Sequence, residues 1–285
     1  MNNRKENNIK IFEDTISRFK NDNDLKKRTA ASISLQEIIK EGQTVVFNSK
    51  KQEYPCKIHV TKNRTFEAAF EYFGKKVAVL NFASATNPGG GVRFGSSAQE
   101  ECLCRVSNLY LCLNEKKCME NFYNLHRNEK NNIHNDDIIY TPNIFVIKND
   151  DYELFDKTDC FSVDVITCAA PNLRENPNNI HNQDLGNAIS LSDDELYKIH
   201  LKRATKILEV ACSKNIEVLI LGAFGCGAFK NNPKVVAKAY KDAISNFKYA
   251  FKEIEFAVYC SPCDSVNYEE FKKVFWRRNL HISPS

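Results

Sequence analysis

No stretch of the sequence approaches the roughly 20 apolar residues of a membrane-spanning helix. The opening segment, MNNRKENNIKIFEDTISRFKNDN, is polar and amphipathic and lacks the apolar core of a secretory signal. Low-complexity blocks, internal repeats and Gly/Ser linkers are missing too, which argues against global disorder and against a string of domains. Metal-binding patterns are sparse. Cys260 and Cys263 form one C-x-x-C, but no second such pair and no paired histidines complete a tetrahedral set, so no metal and no cofactor are expected. G-x-x-x-x-G-K-[ST] is absent, and Gly222, Gly225 and Gly227 lack the spacing of G-x-G-x-x-G. P-loop and hydride-transfer chemistry therefore have little support. The eleven cysteines are odd in number, scattered and without a signal, which predicts reduced, mostly buried thiols and a cytoplasmic location, or a nuclear one in a eukaryote. Cys102 and Cys104, two residues apart, point to different sides of a helix.

What is present suits a packed α/β protein. The 285 residues are 42% hydrophobic, enough for a sizeable core. The net charge of +4 is spread along the chain, a mild bias toward anionic ligands and weak evidence for nucleic-acid binding. Ile9, Phe12, Ile16 and Phe19 recur at helical spacing, and residues 8–40 read as helices. Strands are predicted at QTVVFN, KIHVTKN, KKVAVLNFAS, IIYTPNIFVIKND, VDVITCAAPNLR, IEVLIL and EIEFAVYC. Helices are predicted over TFEAAFEYFG, from Ala98 to Leu113, after the capping box Ser192–Glu195, from Pro233, and over YEEFKKVFWRR. This alternation predicts a mixed or parallel sheet with helices on both faces: a helical extension over residues 1–40, then one domain over 41–285. The asparagine-rich stretch 174–188 reads as a surface insertion or a lid.

Two loops leave apolar strands for helices, the place where α/β sheets bind ligands. The first is SATNPGGGVRFGSS, and AQEE follows it; the second is GAFGCGAFKNNP. Glycine lets backbone N–H groups approach an anion, and a helix start adds unpaired donors, so two such loops suit a diphosphate. Glu100 and Glu101 stand next to each other in the first turn of the predicted helix. Acidic residues there stabilise a helix by about 0.3–1 kcal/mol each, which does not explain why a glycine loop leads directly into them. Neighbouring helical residues lie about 100° apart, so the pair can touch different atoms of one ligand. One carboxyl can serve as acid and then base while the other holds hydroxyls, as glycoside hydrolysis requires.

NFASATNPGGGVRFGSSAQEE resembles the signature of poly(ADP-ribose) glycohydrolases of the compact microbial type, a GGG loop followed by Q-E-E. LGAFGCGAFKNNP resembles the family's diphosphate loop and ITCAAPNLR its intervening strand end, with similarity from about residue 25 onward. The resemblance implies a macrodomain-like fold, a mixed β-sheet sandwiched between helices. It implies that Glu101 protonates the departing ribose oxygen and then activates water, and that Glu100 binds hydroxyls of the distal ribose. Asn87 is a candidate contact to that ribose, and Gln99, Gly89, Gly90 and Gly91 would shape its pocket. Backbone N–H groups of Gly225, Cys226, Gly227 and Ala228 would embrace the diphosphate, with Phe229 near the proximal ribose or adenine, or else a core residue. Arg93 and Phe94 depart from the apolar or small residues expected between GGG and QEE. The implied partners are poly(ADP-ribose) or an ADP-ribosylated macromolecule, with ADP-ribose as product and no membrane; a monomer is expected. A mono-ADP-ribosyl hydrolase acting on a side chain or nucleobase, and a non-catalytic reader, are the alternatives.

Overall fold

A computed structural model of the protein describes residues 2–47, 52–178, 186–260 and 264–276. Two helices, α1 (Asn2–Asn21) and α2 (Asn23–Ser34), precede the strands β1 (Glu37–Ile39) and β2 (Lys57–Thr61). Then come α3 (Thr65–Phe70), β3 (Val77–Ala83), a 3₁₀ turn at Val92–Phe94, α4 (Gln99–Val106) and α5 (Leu109–Leu113). A winding segment follows: α6 (Lys116–Cys118), a π-helical turn at Met119–Tyr123 and α7 (Asn124–Glu129). The remaining elements are β4 (Ile138–Val146), β5 (Phe161–Ala169), α8 (Asp193–Ser213), β6 (Val218–Leu221), α9 (Pro233–Ser245), β7 (Glu253–Ala257) and α10 (Val266–Phe275).

The seven strands form one sheet in the order β1-β4-β5-β3-β6-β7-β2. From β5 to β2 every pairing is parallel, while β4 and β1 are antiparallel additions at one edge. Strand alternation makes two cores. Ala78 and Leu80 of β3 and Leu219 and Leu221 of β6 face α8 and α9, among Ala204, Ile207, Leu208, Val236 and Tyr240. Val77 and Val79 with Val218 and Ile220 face the other way, toward Phe66, Leu103, Val106, Leu109 and Phe12. Each fully buried Leu, Ile, Val or Phe contributes about 1.5–3 kcal/mol, so the sheet is held from both sides, as its continuous apolar runs require.

The local signals have visible causes. Ser192 caps α8 and exchanges hydrogen bonds with Glu195, the predicted capping box. Asn232 caps α9, whose first residue is Pro233. Three expectations are corrected. Residues 43–47 are not a strand; Val46 is 84% exposed and has no ladder to join. The helix predicted from Ala98 to Leu113 is broken after Val106, because Ser107 is extended and makes a bridge with Val146. The segment Lys116–Glu129 adds helical turns that no periodicity announced. Residues 1–40 hold a strand of the sheet as well as two helices. Those helices are tied in: the Ser32 hydroxyl donates to Asn143 O at 2.9 Å, and Thr15 Oγ1 donates to Arg105 O at 2.5 Å.

Ten cysteines are described and all are free thiols; Cys263 lies outside the described residues, as does part of the asparagine-rich stretch, 179–185. Among the described residues no His, Cys, Asp and Glu group could hold a metal ion, and no helix is long and apolar enough to cross a membrane.

Candidate active site

Parallel pairing puts the carboxyl ends of β3, β5, β6 and β7 on one edge, so the two glycine loops leave neighbouring strands, β3 and β6. These two strands pair only over Val77–Val79 and Val218–Ile220 and then part. Gln99 fills the parting. Its amide donates to Leu80 O at 2.8 Å and to Thr65 Oγ1 at 3.0 Å, and its oxygen accepts from Phe82 N at 2.9 Å. Gln99, the residue expected to shape a ribose pocket, pins the first turn of α4 to β3. Both ends of its amide are spent on that task, and a backbone donor and acceptor that would otherwise be orphaned are satisfied.

Glu100 and Glu101, the next residues, are 3% and 7% exposed. Glu100 Oε2 accepts from Ser84 N at 2.8 Å and its Oε1 from Asn81 Nδ2 at 3.2 Å. Burial, and then the neighbouring Glu101 charge, push its carboxyl well above the ordinary range, against the hydrogen bonds from Ser84 and Asn81. Glu101 Oε1 accepts from Gly91 N at 2.8 Å, whereas its Oε2 is buried without any protein partner. Two buried carboxyl groups side by side do not both ionise freely, and the resistance to ionisation falls on Glu100.

The glycines are explained by contact with these groups. At Gly90, with φ +57°, a Cβ would stand 2.6 Å from Glu101 Oε1 and 3.0 Å from Glu100 Oε2. At Gly89 it would stand 2.9 Å from the Tyr110 ring and 3.1 Å from Cys104 Sγ. The loop thus lies directly on the carboxylates. Its neighbour Asn87 accepts a hydrogen bond from Arg127 Nη2 at 3.0 Å, so α7 reaches the site from a segment the sequence left unread. Arg93 and Phe94 are exposed on the rim, Phe94 by 45%.

The second loop is built differently. Among the described residues, the N–H groups of Gly225, Gly227, Ala228 and Phe229 donate to no protein acceptor, the arrangement an anion needs. The N–H of Cys226 is the exception among the expected contacts. It donates to Ala223 O at 3.0 Å inside the turn, and its side chain is buried. Phe229 is half-buried, with its ring centroid 6.4 Å from that of His134 and 5.6 Å from the Arg174 guanidinium carbon. Its backbone pairs with Leu173 N at 3.0 Å, which joins this loop to the end of β5.

The family model for the catalytic domain of microbial-type PARG, poly(ADP-ribose) glycohydrolase, matches residues 7–149, just over half of the chain. The chain belongs to this family. The match begins at residue 7 rather than near residue 25, so most of α1 lies within it. The poly(ADP-ribose) glycohydrolase of Thermomonospora curvata is 26% identical, with a TM-score of 0.80 over 94% of this chain and 99% of that one. A structure of that protein bound to the inhibitor ADP-HPD gives 0.76 over the same shares, again at 26% identity. The Deinococcus radiodurans poly(ADP-ribose) glycohydrolase in complex with ADP-ribose is 28% identical, with a TM-score of 0.73 over 86% of this chain and 96% of that one. No curated protein matches. The fold is therefore that of these enzymes, a seven-stranded mixed sheet between helices.

Some participants had no motif to announce them. Asn81 interrupts the apolar run VAVLNFA, is fully buried, and holds Glu100. A lone amide in a strand buried on both faces was the available signal. Arg127 gave none, because its contact with Asn87 depends on how distant segments pack.

Proposed function

We propose that this PARG-family chain hydrolyses the ribose–ribose O-glycosidic bond of poly(ADP-ribose) and releases ADP-ribose. The observation that carries the assignment of roles is the asymmetry of Glu101: one oxygen is anchored on Gly91 N and the other is buried and unpartnered. The anchored oxygen fixes the carboxyl plane, and the second is left to exchange a proton. Glu101 in its acid form protonates the oxygen that leaves the distal ribose, and positive charge develops on the anomeric carbon. The resulting carboxylate then takes a proton from water as the water oxygen bonds to that carbon. Water is consumed, and the carboxyl ends the cycle protonated. Glu100 accepts hydroxyl hydrogen bonds from the same ribose through lone pairs that Ser84 and Asn81 leave unused. Its resistance to ionisation keeps a second negative charge from forming beside Glu101. The diphosphate rests on the unpaired N–H groups of Gly225, Gly227, Ala228 and Phe229, where charge-assisted hydrogen bonds are strongest. Asn87 and Gly89–Gly91 line the ribose side.

Product analysis on labelled polymer and on a panel of mono-ADP-ribosylated proteins and nucleobases tests this reading. ADP-ribose release from the polymer is expected from the wild type and is lost in Glu101→Ala, which still binds ADP-ribose. Release only from the mono-modified panel would transfer the activity to another acceptor. Polymer that is bound but left intact would make the protein a reader.

A further inference from the structure

Behind the second loop sits a buried pair that the chemistry above does not use. Asn231 is 2% exposed and His200 is fully buried. The Asn231 amide nitrogen donates to Pro171 O at 2.7 Å, Gly225 O at 3.1 Å and Phe229 O at 3.1 Å. These backbone carbonyls only accept, so the amide can stand in one orientation alone. Its oxygen then faces His200 Nε2 at 2.7 Å, which makes Nε2 the protonated ring nitrogen and Nδ1 the bare one. The buried, unpartnered Nδ1 agrees with that tautomer. Burial also pushes the His200 pKa down to about 4, so the ring is neutral near pH 7. The loop is pressed onto this amide: at Gly225, with φ +78°, a Cβ would meet Asn231 Cγ at 2.9 Å and Ala170 Cβ at 2.6 Å.

We infer that Asn231, its amide oxygen satisfied by His200, is a positioning residue for the substrate diphosphate. It gathers the carbonyls of Gly225 and Phe229 to the inner side of the loop and ties them to the Pro171 turn after β5. Turning carbonyls inward takes their partial negative charge away from the anion's side and leaves the neighbouring N–H groups unspent. The inference rests on the diphosphate assignment proposed above. It gives the pair one consequence: affinity for ADP-ribose depends on Asn231, while the proton transfers at Glu101, on α4, do not.

The test uses the full chain and free ADP-ribose. Asn231→Asp is nearly isosteric but turns a carboxylate toward those carbonyls. Losing buried hydrogen bonds of about 1–3 kcal/mol predicts a Kd for ADP-ribose raised about 10- to 100-fold by calorimetry. KM on polymer rises with it, and kcat at saturation stays within about threefold. Acidification returns a proton to the introduced carboxylate and one donor to the carbonyls, so the variant's Kd relative to wild type falls as pH is lowered, a trend that simple loss of packing does not produce. Should Asn231→Asp not fold, His200→Phe decides: it leaves the amide but strands its buried oxygen without a donor, which loosens the clamp, and Kd rises by about threefold or more. A folded variant with wild-type Kd, or one whose kcat falls while Kd holds, overturns the inference. Wild-type protein that binds ADP-ribose but releases none from polymer overturns the glycohydrolase reading instead, and leaves the Kd comparison standing.

Discussion

Gly90→Ala tests the join between the glycine loop and the carboxylates. An alanine held in the left-handed region costs about 1–2 kcal/mol. Its Cβ would also stand 2.6 Å from Glu101 Oε1, where ordinary contact begins at 3.4 Å, so the carboxylate must retreat by roughly 0.8 Å. That oxygen is held by Gly91 N at 2.8 Å, and losing a buried hydrogen bond costs about 1–3 kcal/mol. Backbone strain and the strained carboxylate contact together predict a clear fall in Tm. The larger effect is on turnover, because a 1 Å misplacement of a reacting group costs about 10²-fold. ADP-ribose release from labelled polymer at saturation is therefore expected to drop about 100-fold, with a much smaller change in ADP-ribose Kd. Gly42→Ala is the control, since a Cβ there meets nothing within 4 Å. A folded Gly90→Ala enzyme with kcat within about threefold of wild type would refute the claim that the loop fixes Glu101.

Three further outcomes follow from other contacts. Burial and the Glu101 charge raise the Glu100 pKa in the fold above its ordinary 4.5. The stability this group contributes is thus complete below the unfolded value and is lost as pH rises through the folded one. Glu100→Gln stays neutral, and its new amide can donate to the orphaned Asn81 Oδ1; the Tm of the variant minus that of wild type should grow as pH rises above about 4.5, and a constant difference counts against the sign. Gln99→Ala strands Leu80 O and Phe82 N at about 1–3 kcal/mol each, so Tm should fall well below wild type, and an unchanged Tm would show that β3 does not need the clamp. Gly95→Ala sets a Cβ against Lys5 O at φ +74°, where Asn8 Nδ2 also donates to Gly95 O at 2.9 Å; amide exchange in α1 should accelerate, and unchanged protection would mean that α1 does not rest on the loop.

The layered fold was legible because it follows from period and length. Val77–Ala83 reads as a strand buried on both faces, and it is one. The capping box and Pro233 marked helix starts because those signals are local hydrogen bonds and backbone angles. The errors came where distant partners decide. Leu103 to Leu113 keeps a helical apolar pattern, yet Ser107 leaves the helix to pair with Val146, a residue that no local window contains. In the site, the glycines and glutamates announced themselves by residue type. Asn231, Asn81 and Arg127 act through hydrogen bonds to residues 2 to 60, 19 and 40 positions away, and residue type alone carries no record of those.

Gln99 shows how the same three letters divide their labour. A first turn that begins at Ala98 without a side-chain cap is free to tilt. Here each residue of Q-E-E takes a separate anchor: Gln99 on β3 and α3, Glu100 on Asn81 and Ser84, Glu101 on Gly91. These anchors point in different directions around the helix, so together they fix its rotation as well as its position. Adjacent residues 100° apart would otherwise compete for the same opening. With the rotation fixed, Glu100 is drawn toward the strand end and Glu101 under the glycine loop. The parting of β3 from β6 beyond Val79 is what admits the helix terminus to that place. A change that closed the parting by pairing Leu80 with Leu221 would displace Gln99 first and both carboxylates with it. The split in the sheet is therefore as much a part of the site as the residues that fill it.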